Sequence, residues 1–437
     1  MSEEPLASAT PRGPGYIRSP VAILALLTTL NLLNYLDRYV LAAVLPKMQE
    51  ELGLSNVMGG WLATVFLVGY FATSPVFGAL ADRVGTGGRK RLMMIGVSVW
   101  SAATLATGLV HGAAALVAAR AAVGVGEASY ATIAPTLIDD LATPAQRGRW
   151  MAVFNAAIPV GSALGFVVGG AVEHAHGWHA AFFVAGTPGI LFALLCLLIA
   201  EPVRRGAASR DLFASARALL RIPLYRGAVL GYCAHTFAIG GFAYWAPKYL
   251  HARYALEPGR ASEYFGLVTV VSGLVGTLVG GWLADRAARR RPEADRDTAL
   301  VRASLSVCAL SAGLGAPLAA AAILAGTAPR FFAFVVPCEV AIFLSSGPIN
   351  LALLRSVPAG LRASAVALGI FFIHLLGDMW SPLLIGFLAD GTAGSRDSSS
   401  EASRWVWAMM TAPVVFAAAS IVWWRASTRL TDAVAVR

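Results

Sequence analysis

Gly78-Ala79-Leu80-Ala81-Asp82-Arg83 recurs 203 residues further on as Gly281-Trp282-Leu283-Ala284-Asp285-Arg286. Each copy closes a long apolar run, 57–80 in the first case and 263–284 in the second. A glycine in such a run lets two helices approach, and a carboxylate at a helix end can pair with arginines of the neighbouring half and lock one conformation. A second echo pairs Pro144-Ala145-Gln146-Arg147, before the run 149–172, with Pro358-Ala359-Gly360-Leu361-Arg362, before the run 363–388. Repetition on this scale reads as a six-helix unit used twice, with the site where the halves meet.

Composition fixes the solvent of those helices. With 57% hydrophobic and 13% charged residues in a chain of 437, and a mean hydropathy of +0.67, there is too little polar surface to cover a soluble globule. A hydrocarbon core of about 30 Å needs about 20 helical residues, and helices or closed barrels alone satisfy their backbone there. Twelve spans are expected, at 21–45, 57–80, 91–110, 113–139, 149–172, 178–200, 227–250, 263–284, 300–326, 330–354, 363–388 and 404–425. The expected fold is an all-α membrane protein of two six-helix bundles. The first twenty residues lack a basic n-region, so the first span reads as an uncleaved helix.

Net charge is +10, yet its distribution excludes a nucleic-acid partner. With the N-terminus inside, 25 of the 34 lysines and arginines fall on the cytoplasmic side, 7 on the other and 2, Arg38 and Arg120, in the membrane. That is the positive-inside bias. Arg89-Lys90-Arg91 and Arg289-Arg290-Arg291 read as anchors at an anionic leaflet. Cys196, Cys233, Cys308 and Cys338 all fall inside spans without metal or redox spacing, so they read as packing residues. Only three basic residues are lysines, a bias that fits a GC-rich bacterial genome.

The longest polar stretch, Glu201 to Arg226, divides the chain into 1–200, a linker 201–226 and 227–437. Arg210, Arg217, Arg221 and Arg226 alternate there with Leu212, Leu219, Leu220 and Ile222, which suggests a surface amphipathic helix.

Ionisable groups at bilayer depth cost about 2.5–3.5 kcal/mol each on insertion scales and so mark function by default. In span one Asn31, Asn34 and Arg38 recur at helical spacing with Asp37 beside them. Either they face a polar interior or Asp37 and Arg38 merely pair and orient the helix. Span four carries Arg120 and Glu127, seven residues apart and so about 10 Å along one face. If spans one and four run antiparallel, Asp37 and Arg120 share a depth, Glu127 lies nearer the middle, and three or four charges meet. A carboxylate between desolvation and a neighbouring arginine is a proton-site candidate. Gly124, Gly126 and Ala128 would let helix one approach.

The second half offers Phe237, Phe242, Tyr244 and Trp245 in span seven, with Gly240-Gly241 and Pro247 as candidate breaks. A cavity polar on one wall and aromatic on the other would suit an amphiphile, although interfacial aromatics account for the same residues. His374 and Asp378 stand at i, i+4 and can bond directly, as a proton relay or as packing. Glu339 in span ten needs a partner that the sequence does not name.

The Gly-x-Leu-Ala-Asp-Arg element, followed by Gly85 and Arg89-Lys90-Arg91, resembles the cytoplasmic loop motif of the major facilitator superfamily, loosened here by Thr86-Gly87-Gly88. Asn34-Tyr35-Leu36-Asp37-Arg38, then Val123-Gly124-Val125-Gly126-Glu127-Ala128-Ser129-Tyr130 with Ile133-Ala134-Pro135-Thr136, and Ile158-Pro159-Val160-Gly161-Ser162, are similar to the spinster family of lipid transporters. Ala243-Tyr244-Trp245-Ala246-Pro247, His374-Leu375-Leu376-Gly377-Asp378 and Ser381-Pro382 continue the likeness. Asn-Tyr-x-Asp-Arg alone is shared with organic-anion transporters.

That resemblance implies a twelve-helix facilitator for lysophospholipids or sphingoid phosphates, with proton coupling at Asp37 and Glu127. Arg38, Arg120, Asn34, Tyr130, Tyr244, Trp245, His374 and Asp378 are the substrate-contact candidates, and Asp82, Arg83, Asp285 and Arg286 the gating ones. The expected partners are a lipid or small organic substrate, protons and membrane lipids, with no cofactor or metal and a monomeric state. The expected site is a cell inner or plasma membrane, with both termini cytoplasmic. A carrier of small organic anions or drug-like compounds is the alternative. No His-Glu-x-x-His, Gly-x-Ser-x-Gly or phosphate-binding loop occurs, which argues against an enzyme and against ATP as the energy source. The short termini argue against a sensor with an added soluble domain.

Overall fold

A computed structural model describes residues 15–85, 87–143, 146–202, 212–289, 296–358, 361–391 and 398–428. Apart from one isolated parallel bridge between Ile17 and Ile199, the regular structure of these residues is helical. In order the helices are α1 (Pro20–Leu52), α2 (Asn56–Arg83), α3 (Gly88–Thr107), α4 (Ala113–Leu141), α5 (Arg147–His176), α6 (Trp178–Leu197), a short α7 (Leu212–Arg221), α8 (Pro223–Tyr254), α9 (Pro258–Arg289) and α10 (Arg296–Leu324). Then come α11 (Ala328–Phe343), α12 (Ser346–Arg355), α13 (Arg362–Ile373), a π-helical turn (His374–Asp378), α14 (Ser381–Asp390), α15 (Ser398–Met409) and α16 (Thr411–Thr428). Nine helices or helix runs among the described residues are long and apolar enough to cross a membrane. Of the other long rods, α4 carries Arg120 and Glu127.

Local chemistry sets the helix ends. Ser19 Oγ accepts from the Ala22 N–H, Pro20 occupies the first helical position, and α1 stops at Gly53 with φ 63°, where the left-handed region suits glycine. The last three expected spans are each broken. Span ten stops at Leu344–Ser345 before Gly347 and Pro348. Span eleven passes through the π turn, where Gly377 leaves helical geometry at φ −104°, ψ −105°. Span twelve breaks at Met410, ahead of Pro413, which has no N–H to give the preceding turn. The linker holds α7, whose Leu219 is buried in the core with Tyr225 and Leu305.

Contacts divide the chain into two units: Met1–Leu54, Trp61–Ala207 and Pro258–Gly266 form the first, and Ser55–Gly60, Ala208–Glu257 and Leu267–Arg437 the second. The first turns of α2 and α9 thus belong to the opposite unit from the rest of each helix, which a division at the linker does not anticipate. Within the second unit the Asp390 carboxylate accepts from the Asn56 and Val57 N–H groups at 3.1 and 2.8 Å, and so caps the start of α2. Within the first, Ser262 donates to the Ala43 carbonyl at 2.9 Å.

Several glycines in each unit sit at helix crossings too close for a side chain, and one in each approaches a backbone carbonyl most tightly. A Cβ on Gly124 would lie 2.0 Å from the Phe66 carbonyl oxygen, bringing α4 onto α2, and one on Gly280 would lie 2.0 Å from that of Leu344, bringing α9 onto the end of α11. The repeated motif glycines are not the close ones. A Cβ at Gly281 would meet nothing within 4 Å among the described residues, and at Gly78 only an ordinary contact with Thr132.

The basic run beside the first motif copy does not behave as a membrane anchor. Arg89 is 5% exposed and Lys90 7%. Arg89 donates to Asp140 at 2.7 Å and Glu201 at 2.8 Å, while Lys90 Nζ donates to the Leu197 and Ile199 carbonyls. Only Arg91 is exposed. The partners of the first two lie at least 50 residues away in sequence, so the run alone does not reveal them. The companion run Arg289-Arg290-Arg291 has its side chains outside the described residues. All four cysteines are free and buried.

Gly124→Val is expected to cost about 1–3 kcal/mol by overpacking and to lower the melting temperature, whereas Gly281→Ala is expected to be neutral. Fluorescence-detected thermal melting of the two variants checks both.

Candidate functional site

The first unit gathers a charge cluster on α1 and α4, with aromatic rings of α1 and α2 beside it. Arg38 directs Nε and Nη2 at one oxygen of Glu127, Oε2, at 3.1 and 2.8 Å. The Glu127 side chain is wholly buried and that of Arg38 is 15% exposed. Aromatic faces surround the guanidinium: its carbon lies 4.7 Å from the centroid of Phe66, 4.9 Å from Tyr35 and 5.7 Å from Tyr70. Arg120 stands 5.2 Å from the same Phe66 ring, so one quadrupole attracts two cations.

Asp37 turns elsewhere. Successive helical residues point about 100° apart, and Asp37, fully buried, accepts from the Thr104 hydroxyl of α3 at 2.5 Å. Arg120 of α4 and adjacent Arg38 both lie near enough to act on its charge. The two neighbours in sequence form no ion pair with each other. The polar stripe of α1 therefore splits three ways: Asn31 donates to the Phe154 carbonyl of α5 at 2.9 Å, Asp37 faces α3, and Arg38 faces α4.

Several buried polar atoms of this cluster have no hydrogen-bond partner among the described residues: Asn34 Nδ2, Asp37 Oδ1, Arg120 Nε and Nη1, and Glu127 Oε1. Burying such groups unsatisfied is costly. The cluster thus holds donors and acceptors that a ligand or a proton can engage. Asp37 and Glu127 each have one bonded oxygen and one bare one. Tyr130 is different, since its hydroxyl is spent on the Leu27 carbonyl of α1.

In the second unit His374 Nδ1 lies 2.9 and 3.0 Å from the two oxygens of Asp378, across the π turn. Such turns recur at functional positions. Asp378 also packs where Gly240 of α8 leaves room, a Cβ there falling 2.6 Å from the Asp378 Cβ. Tyr244 and Trp245 are buried with their polar atoms bonded, the hydroxyl to the Gly59 carbonyl at 2.7 Å and the indole N–H to that of Pro382 at 2.8 Å. Arg83, Asp285 and Arg286 are exposed, and Arg286 lies over the Trp282 ring at 5.1 Å. The side chain of Asp82 lies outside the described residues.

Thr104, Phe66 and Tyr70 were not singled out by sequence. Phe66 and Tyr70 show only helical i, i+4 spacing, which any packed aromatic pair shares. Thr104 sits in an apolar span with nothing to mark it.

The family model of the Major Facilitator Superfamily matches residues 27–382. The human protein spinster homolog 1 is 36% identical over 89% of this chain and 76% of its own length. Protein spinster of Drosophila melanogaster is 33% identical over 85% of this chain, which spans 62% of that longer protein. Among solved structures, a bacterial homolog of the human lysosomal transporter spinster superposes with a TM-score of 0.81 at 20% identity, covering 94% of this chain and 98% of that one. The chain belongs to the major facilitator superfamily and, within it, to the spinster family, and it is a multi-pass membrane transporter with the major facilitator fold.

Arg38→Ala leaves Glu127 buried without its cation, a change that costs about 3–5 kcal/mol for buried pairs. The double variant Arg38→Ala/Glu127→Gln is expected to melt at a higher temperature than Arg38→Ala alone, the reverse of additive damage. Thermal melting of the two variants and wild type checks this.

Proposed function

We propose that this spinster-family chain is a proton-coupled secondary transporter of an amphipathic anionic lipid, such as a lysophospholipid or a sphingoid phosphate, working by alternating access of its two halves. The observation that carries the reading is the first unit's charge cluster: two arginines and two carboxylates in an apolar interior, with Arg120 Nε and Nη1, and one oxygen on each carboxylate, left without a hydrogen-bond partner among the described residues.

Coupling follows from charge balance. Arg38 and Arg120 offset Asp37 and Glu127, and a proton on either carboxyl leaves one guanidinium uncompensated. An anionic headgroup then restores neutrality, and the planar donor fork of arginine suits a phosphate or a carboxylate. Asp37 and Glu127 act as the proton sites, while Arg38, Arg120 and Asn34 act as the headgroup contacts. Tyr130 holds α4 to α1, and Tyr244 and Trp245 shape the aromatic wall of the second unit beside His374 and Asp378. Asp82, Arg83, Asp285 and Arg286 serve as gating charges at the ends of α2 and α9. The protein works as a monomer in a bacterial inner membrane, both termini cytoplasmic, in keeping with the positive-inside bias.

In proteoliposomes, a proton gradient is expected to drive uptake of a labelled lysophospholipid by wild type. Asp37→Asn and Glu127→Gln should each abolish the gradient dependence, and Arg120→Lys should lower uptake at least tenfold by removing the fork. Folded wild type that transports no lysophospholipid, but does transport a small organic anion, would transfer the mechanism to that substrate class.

A further inference from the structure

Glu339, on α11, is 3% exposed and belongs to no site described above. One oxygen, Oε1, accepts from the Thr269 hydroxyl of α9 at 2.9 Å. The other, Oε2, is buried and has no hydrogen-bond partner among the described residues. Among the described residues, the Thr269 hydroxyl is the one side-chain hydrogen-bond partner it has. No Lys, Arg or His of the described residues faces it from α9 or α10, and the one titratable side chain beside it is the Cys338 thiol, which points to the Gly315 carbonyl of α10. An ionised carboxylate in that setting would carry the full desolvation cost with one neutral hydrogen bond against it, whereas an acid protonated on Oε2 avoids that cost and still accepts the Thr269 bond at its carbonyl oxygen Oε1.

The repeat gives this position meaning. The 203-residue offset that relates Gly78 to Gly281 also relates Phe66 to Thr269. Phe66 is the α2 residue on which both arginines of the first unit stack, at the crossing closed by Gly124. Thr269 stands on the corresponding helix, two turns before the close approaches at Gly276 and Gly280 to Val340 and Leu344. The second unit thus places one lone carboxyl where the first places its charge cluster.

We propose that Glu339 is a second proton-binding site, in the C-terminal unit, which holds a proton on Oε2 while the α9–α11 crossing is closed and dry and exchanges it with solution when that crossing is wetted. The site is independent of the cargo. It is also distinct from Asp37 and Glu127, which answer to arginines.

Infrared spectroscopy of the full chain in lipid nanodiscs tests this without any substrate. Wild type at neutral pH is expected to show a carbonyl-stretch band of a protonated carboxyl that is absent from Glu339→Gln and that is lost reversibly as the pH is raised. Thr269→Val, which keeps the carboxyl and removes the donor to Oε1, should move that band to higher wavenumber. A wild type and Glu339→Gln pair with no band difference would overturn the proposal. So would a band that persists to the alkaline limit of the folded protein, or one that Thr269→Val leaves unmoved.

Discussion

Two hydrogen bonds from Arg38 to a single oxygen of Glu127 make it tolerable to keep ionised groups in the apolar interior of the first unit, and the local architecture follows from that need. A buried charge without a partner is among the most destabilising features a fold can carry, so α1 and α4 must meet in the register that brings these two side chains together. Tyr130 fixes that register from one side by bonding the Leu27 carbonyl. Gly124 fixes it from the other by letting α4 close on α2, which carries Phe66 to the faces of both guanidiniums. Removing the side chain at one glycine thus serves the electrostatics of three helices.

The second unit differs: among its described residues no lysine or arginine is buried. Two of its buried ionisable groups are hydrogen-bonded to hydroxyls: Glu339 to Thr269, and His235 to Ser345 at 3.0 Å inside a box of Phe416 and Trp423. Ser345 lies in the break between α11 and α12, and the His374–Asp378 contact spans the π turn of the next rod. Two of these pairs coincide with interruptions of the backbone ladder, whereas Glu339 and Thr269 stand inside continuous helices. Helix breaks are where a rod bends at least cost, so the second unit carries part of its polarity where it carries its compliance, whereas the first concentrates its charge cluster on unbroken helices.

Sequence made the charged residues of the first unit legible because their insertion cost demands a reason, and the spacing of Arg120 and Glu127 put them on one face of α4. It did not make their pairing legible. Adjacency suggested Asp37 with Arg38, but the rotation between neighbours sends one to α3 and the other to α4, and the partner of Asp37 is a threonine that no pattern marks. The same blindness applies to Arg89, whose carboxylates stand on α4 and just beyond α6. Charge runs read as solvated when their partners are distant in sequence. Twelve spans were readable from hydropathy, whereas the breaks in the last three were not, because a glycine or a proline inside a membrane helix is tolerated as often as it interrupts.

The arrangement of bonded and bare oxygens bears on how protons and substrate are linked in the proposed mechanism. Both Asp37 and Glu127 already use one oxygen, for Thr104 and for Arg38, and the other has no hydrogen-bond partner among the described residues. A proton can therefore settle on either carboxyl without displacing a side chain, so the first response to protonation is electrostatic and not steric. What changes is the account of charge around Arg120, whose Nε and Nη1 have no partner among the described residues while its compensating carboxylate is lost. In a medium where an uncompensated guanidinium is unfavourable, the anion that arrives next is stabilised by the cation and by the absence of a competing carboxylate. Proton and anion are linked through neutrality of a small volume, with no moving part required at the site itself.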